Sequence, residues 1–255
     1  MGGHSHWTQI KRQKGAMDAK RGQLFTKLAR EIAVAAREGG GADPAMNPRL
    51  RLAIDRARSY NMPMDSIQRA IQRGLGPTGE SELMEAVYEG YGPGGIAILV
   101  VALTDNRNRA VSDVRMSFSR HGGSLGEAGC VSWLFEQRGL IMINTAEVGS
   151  LDAETIALQA IDAGAEDVRV EDGLVEVHTA PEKLEAVRRA LQDSLAISIT
   201  NAEISFVPKS MVSLDEKDST QALRLLDRLE ELDDVQRVYS NAEFADTVLA
   251  AYATA

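Results

Sequence analysis

Residues 168–177 read Val168-Arg169-Val170-Glu171-Asp172-Gly173-Leu174-Val175-Glu176-Val177. Apolar and polar residues alternate on both sides of the Asp-Gly pair, a pattern typical of two antiparallel strands joined by a two-residue turn. This hairpin lies in the middle of a longer series of predicted elements: a strand at 140–144, a helix at 153–163, the hairpin itself, a helix at 181–194 and a strand at 202–207. The β-α-β-β-α-β order predicts a ferredoxin-like sandwich.

A second group of elements surrounds this sandwich along the chain. Before it, two strands at 86–91 and 96–104 are joined by a Gly/Pro turn and followed by a helix at 109–121. After it come a helix at 219–232 and a strand at 235–239, which have no other partner. We therefore predict a discontinuous second domain, residues 80–130 plus 208–245, into which a third domain, residues 131–207, is inserted.

The first 79 residues predict a small helical domain. A helix at about 20–38 has apolar residues at helical spacing, and Asn47 followed by Pro48 is a start signal for the next helix. Pro63 opens a third helix, and Gly74 occupies the position of a left-handed C-terminal cap. The predicted fold class is α+β: an N-terminal three-helix domain, residues 1–79, followed by two α/β ferredoxin-like domains, the third inserted in the second.

Charge is distributed very unevenly along the chain. The formal net charge is -9, yet residues 1–75 contain 14 Lys and Arg against 6 Asp and Glu, whereas residues 76–255 contain 14 against 31. A polyanion is attracted to the first segment and repelled by the second, because Lys and Arg neutralise phosphates and release their counterions. The first segment is therefore the predicted nucleic-acid-binding part. A chance scatter of solvated surface charges is the alternative.

Two groups of residues are candidates for nucleic-acid contact. The first combines cations suited to phosphates with one flat aromatic face on which a base can stack. Its members are Trp7, Lys11, Arg12, Lys14, Lys20, Arg21, Lys27 and Arg30. The second group lies where the strand at 96–104 meets the following helix, and it consists of Asn106, Arg107 and Arg109. Trp7 could instead cover the helical core, and Asn106 could serve only as a helix cap. The helix after Asn47 is predicted to point four further arginines largely outward: Arg49, Arg51, Arg56 and Arg58.

Several patterns argue against catalysis. Residues 90–95 match the G-x-G-x-x-G of dinucleotide-binding loops, but a strand follows them instead of a helix, so a hairpin turn is predicted. His4 and His6 lack further ligands at metal spacing. Nothing in the sequence orients His121 as a base for the Cys130 thiol. We predict no catalytic residue, no metal, no cofactor and no small-molecule substrate.

The chain has the features of a cytoplasmic protein. Its longest apolar run, from Ile96 to Leu103, is far shorter than the ~20 residues that a membrane-spanning helix needs. The N-terminus lacks the apolar region of a secretory signal. Cys130 is the single cysteine, so no intramolecular disulfide can form, which suits a reducing compartment. We predict no membrane partner.

The sequence resembles the YebC/PmpR family over nearly its whole length. The strings that carry the resemblance include Gly3-His4-Ser5-His6-Trp7, Asp18-Ala19-Lys20-Arg21-Gly22, Tyr88-Glu89-Gly90-Tyr91-Gly92-Pro93-Gly94-Gly95, Leu103-Thr104-Asp105-Asn106-Arg107-Asn108-Arg109, His121-Gly122-Gly123 and Leu232-Asp233-Asp234-Val235-Gln236. The resemblance implies a cytoplasmic protein in which a helical domain precedes two α/β domains, the third inserted in the second. It also implies a role in gene expression, since members are mostly DNA-binding transcriptional regulators and some relatives act in translation.

The leading hypothesis is a non-enzymatic, nucleic-acid-binding regulator of gene expression, namely a DNA-binding transcriptional regulator of the YebC/PmpR type. The alternative is a translation factor or translational activator that binds ribosomal RNA or slowed ribosomes, since shape and backbone contacts suffice for RNA. A third hypothesis is an adaptor that binds a protein partner through its acidic domains. This adaptor hypothesis predicts no salt-sensitive binding of nucleic acid.

Overall fold

The structure, a computed structural model, describes residues 18–39, 41–76, 83–149, 151–171, 173–197, 199 and 201–254. Its contacts divide the chain into two compact units. Unit 1 contains the described residues up to Glu31, those between Pro77 and Glu136, and those from Pro208 onward. Unit 2 contains the described residues of Ile32–Gly76 and Gln137–Val207. Within the described ranges, no helix combines the length and the apolar character needed to cross a membrane.

Helices and strands alternate after an N-terminal group of helices. The helices are α1 (Asp18–Glu38), α2 (Pro48–Ser59), α3 (Met64–Leu75), α4 (Arg107–Arg120), α5 (Ala153–Asp162), α6 (Leu184–Leu195), α7 (Glu216–Glu230) and α8 (Asp246–Thr254). The strands are β1 (Met84–Tyr91), β2 (Ala97–Thr104), β3 (Ser124–Leu125), β4 (Phe135–Asn144), β5 (Asp167–Glu171), β6 (Leu174–Thr179), β7 (Asn201–Pro208), β8 (Val212–Ser213), β9 (Val235–Ser240) and β10 (Ala242–Glu243). The predicted α+β class, with helices before two α/β sheets, is confirmed, while the domain boundaries stay a prediction.

The sheet of unit 1 has the strand order β3-β1-β2-β9, and each neighbouring pair is antiparallel. The tight turn between β1 and β2 is closed by a hydrogen bond from the Gly92 N–H to the Ile96 carbonyl at 2.8 Å. Gly94 has φ +67°, a backbone conformation that favours glycine. The hairpin predicted for the glycine-rich run is therefore confirmed. Helices α4 and α7 cover one face of the sheet, where Phe118 and Leu225 pack against β2.

The sheet of unit 2 has the order β5-β6-β4-β7, which is the strand order of a ferredoxin-like sandwich. In the β5–β6 hairpin Glu171 pairs with Leu174, so the connection has the two residues that the sequence predicts. Helices α5 and α6 cover one face, where Ile156, Val187 and Leu191 are buried against the sheet.

Helix α2 begins at a buried asparagine. The Asn47 side chain accepts a hydrogen bond from the Leu50 N–H at 3.0 Å, as the predicted cap requires. Its amide group also donates to the carbonyls of Ala35 at 2.8 Å and Gly41 at 3.0 Å. One side chain thus caps α2 and joins it to the end of α1.

The prediction that all four arginines of α2 point outward is wrong for Arg51. Arg49 and Arg58 have exposed side chains, whereas that of Arg51 is only 18% exposed. Arg51 donates to the Pro44 carbonyl at 3.1 Å, and its Nε lies 3.2 Å from a carboxylate oxygen of Glu185 in α6. The Glu185 carboxylate compensates for the burial of the Arg51 guanidinium, so Arg51 contributes to the packing of α2 against α6.

The prediction that Gly74 caps α3 in the left-handed conformation is wrong. Helix α3 continues through Gly74 to Leu75, and Gly74 is not among the glycines with positive φ. A Cβ atom at position 74 would overlap the backbone carbonyl of Ala33 in α1. Glycine is needed here because the backbones of two helices approach each other closely.

We predict that Gly74→Ala lowers the free energy of unfolding by about 1–3 kcal/mol, because the added methyl group forces the two helices apart. Urea denaturation followed by circular dichroism measures this change. Gly22→Ala is the matched control, since nothing lies within 4 Å of a Cβ at that helical position. The control should leave stability unchanged or raise it by up to ~1 kcal/mol. Equal effects of the two substitutions would contradict the close-approach explanation.

Candidate nucleic-acid interface

Part of the predicted contact set lies beyond what the structure describes. Trp7, Lys11, Arg12 and Lys14 lie outside the described residues. Lys20 belongs to the first turn of α1, but its side chain also lies outside the described part. Arg21 is exposed, and its guanidinium lies 5.5 Å from the centroid of the Phe25 ring, a cation–π distance. The nucleic-acid contacts of all these residues stay a prediction.

Lys27 and Arg30 of α1 are bonded to the end of α7 and to the acidic residues that follow it. The Lys27 ammonium donates to the backbone carbonyl of Glu230, the last residue of α7, where lysine side chains commonly satisfy free carbonyls. Arg30 donates to the carbonyl of Asp233 at 2.6 Å and to the carboxylate of Asp234 at 3.0 Å. These two predicted phosphate contacts therefore hold α1 against the end of α7.

The carboxylate of Asp234, which is only 9% exposed, collects hydrogen bonds from three elements of unit 1. Besides Arg30, it accepts from the Arg109 guanidinium in α4 and from the Thr104 hydroxyl at the end of β2, each at 2.9 Å. Asn106 accepts a hydrogen bond from the Arg109 N–H at 3.0 Å, so Asn106 does cap α4. The strand-to-helix junction predicted as a contact set is thus also a structural junction.

The Arg109 guanidinium is already neutralised within the protein. Its hydrogen bonds to Asp234 and Asp105 raise the pKa of Arg109 above the ordinary value. The same guanidinium holds the pKa of the Asp105 carboxyl below its usual range. A phosphate would have to compete with these carboxylates for the same donors. The geometry favours a structural role for Arg109, and its predicted nucleic-acid contact stays a prediction.

A cleft of about 560 Å³ opens beside this network. Its charged lining combines three arginines with five carboxylates: Arg30, Arg109, Arg228, Asp105, Asp113, Glu231, Asp233 and Asp234. Negative charge exceeds positive charge, so the cleft repels phosphate. Among the described residues, no group of His, Cys, Asp and Glu is arranged as a metal site requires.

We predict that Asp234→Ala lowers the free energy of unfolding by about 2–4 kcal/mol, because it leaves two arginines and a buried hydroxyl without their shared acceptor. Asp105→Ala is the matched control. It removes a more exposed partner of Arg109 and should cost at most ~1 kcal/mol. Chemical denaturation of both variants measures the difference. A loss as small for Asp234→Ala as for Asp105→Ala would show that the network is not a structural centre.

The exposed face of α4 is the clearest basic surface in the described part of unit 1. This helix contains four arginines against one aspartate. Arg107, Arg115 and Arg120 are exposed, and none of them forms an ion pair with a described residue. Exposed polar side chains lie at helical spacing from Arg115: Asn108, Ser112 and Ser119. Guanidinium, amide and hydroxyl groups on one face can all donate to phosphate oxygens.

The sequence-based contact set names Arg107 and Arg109 from α4 and omits Arg115 and Arg120. The spacing of Asn108, Ser112, Arg115 and Ser119, by four, three and four residues, already places them together on a helix. The net charge of the surrounding sequence does not reveal this face, because α4 lies in the acidic part of the chain.

Unit 2 has a second basic helix face, on α3. Arg69 and Arg73 are exposed and four residues apart, and Gln68 and Gln72 are exposed with the same spacing. The Arg69 guanidinium donates to the Ser66 hydroxyl at 3.1 Å. The sequence-based set omits both arginines. Their arrangement suits backbone contact as that of α4 does.

A loop beside β1, residues 126–134, is held by a buried carboxylate. Glu89 is 7% exposed and accepts hydrogen bonds from the N–H groups of Gly129 at 2.8 Å, Val131 at 2.8 Å and Ser132 at 2.7 Å. Burial raises the pKa of Glu89, but these hydrogen bonds outweigh burial, so the pKa lies below the usual range. An ionised carboxylate therefore fixes the 126–134 loop.

We predict that Glu89→Gln lowers the free energy of unfolding at neutral pH by about 2–4 kcal/mol, because the amide cannot accept all three N–H groups. The depressed pKa of Glu89 makes its contribution complete above the unfolded value of about 4.3 and progressively lost as pH falls through the folded value. Denaturation of parent and variant from pH 7 to pH 3 measures this trend. The stability difference should shrink below about pH 4. Glu127→Gln, at an exposed position of the same loop, should show no such trend.

The fold and the exposed side chains describe a class of protein with N-terminal helices, two four-stranded sheets covered by helices, and basic helix faces on an otherwise acidic chain. Family models place it more narrowly. Residues 5–77 match the TACO1/YebC protein N-terminal domain, and residues 83–242 match the TACO1/YebC second and third domain. The chain belongs to the TACO1/YebC family, as the resemblance noted in its sequence motifs implies.

Relatives and a solved structure agree with this assignment. The chain is 56% identical over 245 residues to a probable transcriptional regulatory protein of Roseiflexus castenholzii, covering 95% of each chain. It is 55% identical over 243 residues to a probable transcriptional regulatory protein of Chloroflexus aggregans, covering 95% of this chain and 96% of that one. The crystal structure of a conserved hypothetical protein from Aquifex aeolicus is similar with a TM-score of 0.82 at 45% identity, covering 90% and 93% of the two chains.

Proposed function

We propose that this protein is a non-enzymatic, nucleic-acid-binding regulator of gene expression. The observation that carries the proposal is the exposed face of α4, where Arg107, Arg115 and Arg120 have no ion-pair partner among the described residues. An exposed guanidinium without a carboxylate partner is available to a phosphate, and displacement of counterions makes that contact favourable at low salt. The predicted cations at positions 11–30 would extend the contact.

DNA-binding transcriptional regulation is the leading form of this proposal. Relatives with more than half of their residues identical carry the name probable transcriptional regulatory protein. Phosphate contacts from α4 would supply affinity and orientation on a duplex. We further propose that the protein acts in the cytoplasm without a cofactor or a small-molecule substrate, and that its acidic surfaces are available to a protein partner.

Binding to RNA, including ribosomal RNA, is a second candidate. Two exposed aromatic side chains of unit 1, Tyr91 and Trp133, favour it, because unpaired bases in RNA loops stack on aromatic rings. Backbone contacts of α4 suit either polymer. The two candidates therefore differ in the nucleic acid that the full chain prefers.

We predict that replacing Arg107, Arg115 and Arg120 together by alanine weakens binding to nucleic acid and makes it less salt-dependent. The slope of log affinity against log salt should fall by about 2–3, since each lost phosphate contact contributes roughly 0.7–0.9. Fluorescence anisotropy of the full chain with labelled duplex DNA and a labelled RNA hairpin, at several KCl concentrations, measures both quantities. Tighter binding of the hairpin at equal salt would support the RNA candidate.

The matched control replaces three cations of unit 2, Arg169, Lys183 and Arg189, by alanine. It removes the same charge from exposed positions on an acidic sandwich and should change the slope little. A parallel variant with Lys11, Arg12 and Lys14 replaced by alanine tests the predicted N-terminal cations. If the α4 variant keeps the slope of the parent protein, α4 is not part of the interface. If the parent binds neither polymer at low salt, the proposed function is wrong.

A further inference from the structure

Two aromatic side chains of unit 1 expose their rings beside the 126–134 loop. Trp133 is 64% exposed, and Tyr91, the last residue of β1, is 40% exposed. The Trp133 indole N–H donates to the Cys130 carbonyl at 3.0 Å, and the Tyr91 hydroxyl donates to the same oxygen at 2.9 Å. Both polar edges are therefore satisfied within the protein. We call these two residues the ring pair. The surface that the ring pair exposes to solvent is aromatic.

The ring pair is held rigidly. Glu89 fixes the backbone on both sides of Cys130 through its three hydrogen bonds. On the far side of the loop, the Lys209 ammonium donates to the Trp133 carbonyl at 2.9 Å, and the Lys209 N–H donates to the Leu134 carbonyl at 2.8 Å. Rings that are already ordered lose little conformational entropy when a ligand binds. The hydrogen bonds that Glu89 accepts together outweigh the cost of burying its charge, so the loop that presents the rings is stabilised.

The chemistry around the ring pair points to a small flat ligand. Most of the exposed side chains nearby in the sequence are polar, namely Ser124, Glu127, Ser132 and Glu136, while Val87 on the same strand as Tyr91 adds a small apolar surface. A stable protein interface buries about 800 Å² on each partner with an apolar centre, which an isolated pair of rings does not supply. Since the indole and phenol donors are already used, recognition must occur through the aromatic faces. A nucleobase is such a ligand, because every base has a π-face that stacks on aromatic rings.

We propose that Tyr91 and Trp133 form a stacking site for an unpaired nucleotide base. This inference rests on the proposed nucleic-acid-binding function and names the structural state of the bound strand. Tyr91 alternates along β1 with Tyr88, which packs against the core beneath α4 and α7. The ring pair therefore belongs to the opposite face of the sheet from α4, and the two surfaces can be changed independently.

The test compares strands that have the same phosphates and differ in their bases. Full-length protein is titrated into labelled oligothymidylate, oligouridylate and an abasic strand, each of about 15 nucleotides. Trp133→Leu should weaken binding of the two base-bearing strands by roughly 5- to 150-fold, the range that loss of one stacked base implies. Binding of the abasic strand should not change. We expect Trp133→Leu to weaken binding of the thymine and uracil strands by similar factors. If the parent protein binds one of these two strands more tightly, that preference identifies the bound strand as DNA or RNA.

Tryptophan fluorescence provides a second, independent readout. The chain contains two tryptophans, so Trp7→Phe leaves Trp133 as the only one. Stacking of a base on the indole should quench this fluorescence when oligothymidylate binds, whereas saturation with the abasic strand should not. In this background Tyr91→Leu should reduce both the quenching and the affinity for base-bearing strands.

Two control variants make the outcome decisive. Trp133→Phe keeps an aromatic face and should retain most of the affinity that Trp133→Leu loses. Leu158→Ala truncates a side chain that is 58% exposed in unit 2 and should have no effect. The stacking site is refuted if Trp133→Leu binds base-bearing strands like the parent, or if Trp133 fluorescence is unaffected at saturation. Removal of the α4 arginines should weaken binding of base-bearing and abasic strands alike. Failure of the proposed function therefore gives a different result from failure of the stacking site. A parent that binds no strand overturns both proposals.

Discussion

Unit 1 depends on one nearly buried carboxylate. Asp234 accepts hydrogen bonds from Arg30, Arg109 and Thr104, which come from α1, α4 and the end of β2. The anion is stabilised because two guanidinium groups and a hydroxyl replace the water that burial removes. The three donors are in turn fixed in position by one acceptor. The start of α4, and therefore the direction in which its exposed arginines point, follows from this single charge.

The same interaction explains why the uneven charge of the sequence is an incomplete guide to the binding surface. Lys27 and Arg30 contribute to the basic N-terminal segment, but Lys27 donates to the last backbone carbonyl of α7, and Arg30 donates to Asp233 and to the carboxylate of Asp234. Cations that neutralise carboxylates inside the protein have less to gain from phosphate. Conversely, Arg115 and Arg120 lie in the acidic part of the chain and are exposed. Whether a cation is available to phosphate depends on its local partner in the fold. The net charge of a sequence segment does not contain this information.

Elements governed by local periodicity and turn chemistry could be predicted from the sequence. The β5–β6 hairpin, the buried strand β2 and the Asn47 cap all follow from residues within a few positions of each other. The contacts that could not be predicted join distant parts of the chain. Thr104 and Asp234 are 130 positions apart, and Gly74 is required by the backbone of Ala33 in another helix. The ring pair could not be predicted for the same reason, since Tyr91 and Trp133 are 42 positions apart and both donate to the Cys130 carbonyl.

The hydrogen bond between the Lys209 N–H and the Leu134 carbonyl, at 2.8 Å, has a consequence for the folding of unit 1. The middle segment of unit 1 ends at Glu136 and the last segment begins at Pro208, and this bond joins them at adjoining backbone positions. The entropy of closing unit 1 grows only slowly with the number of residues that lie between these positions. Changes in the length of the chain between residues 137 and 207 should therefore add little to the entropy that unit 1 loses on folding.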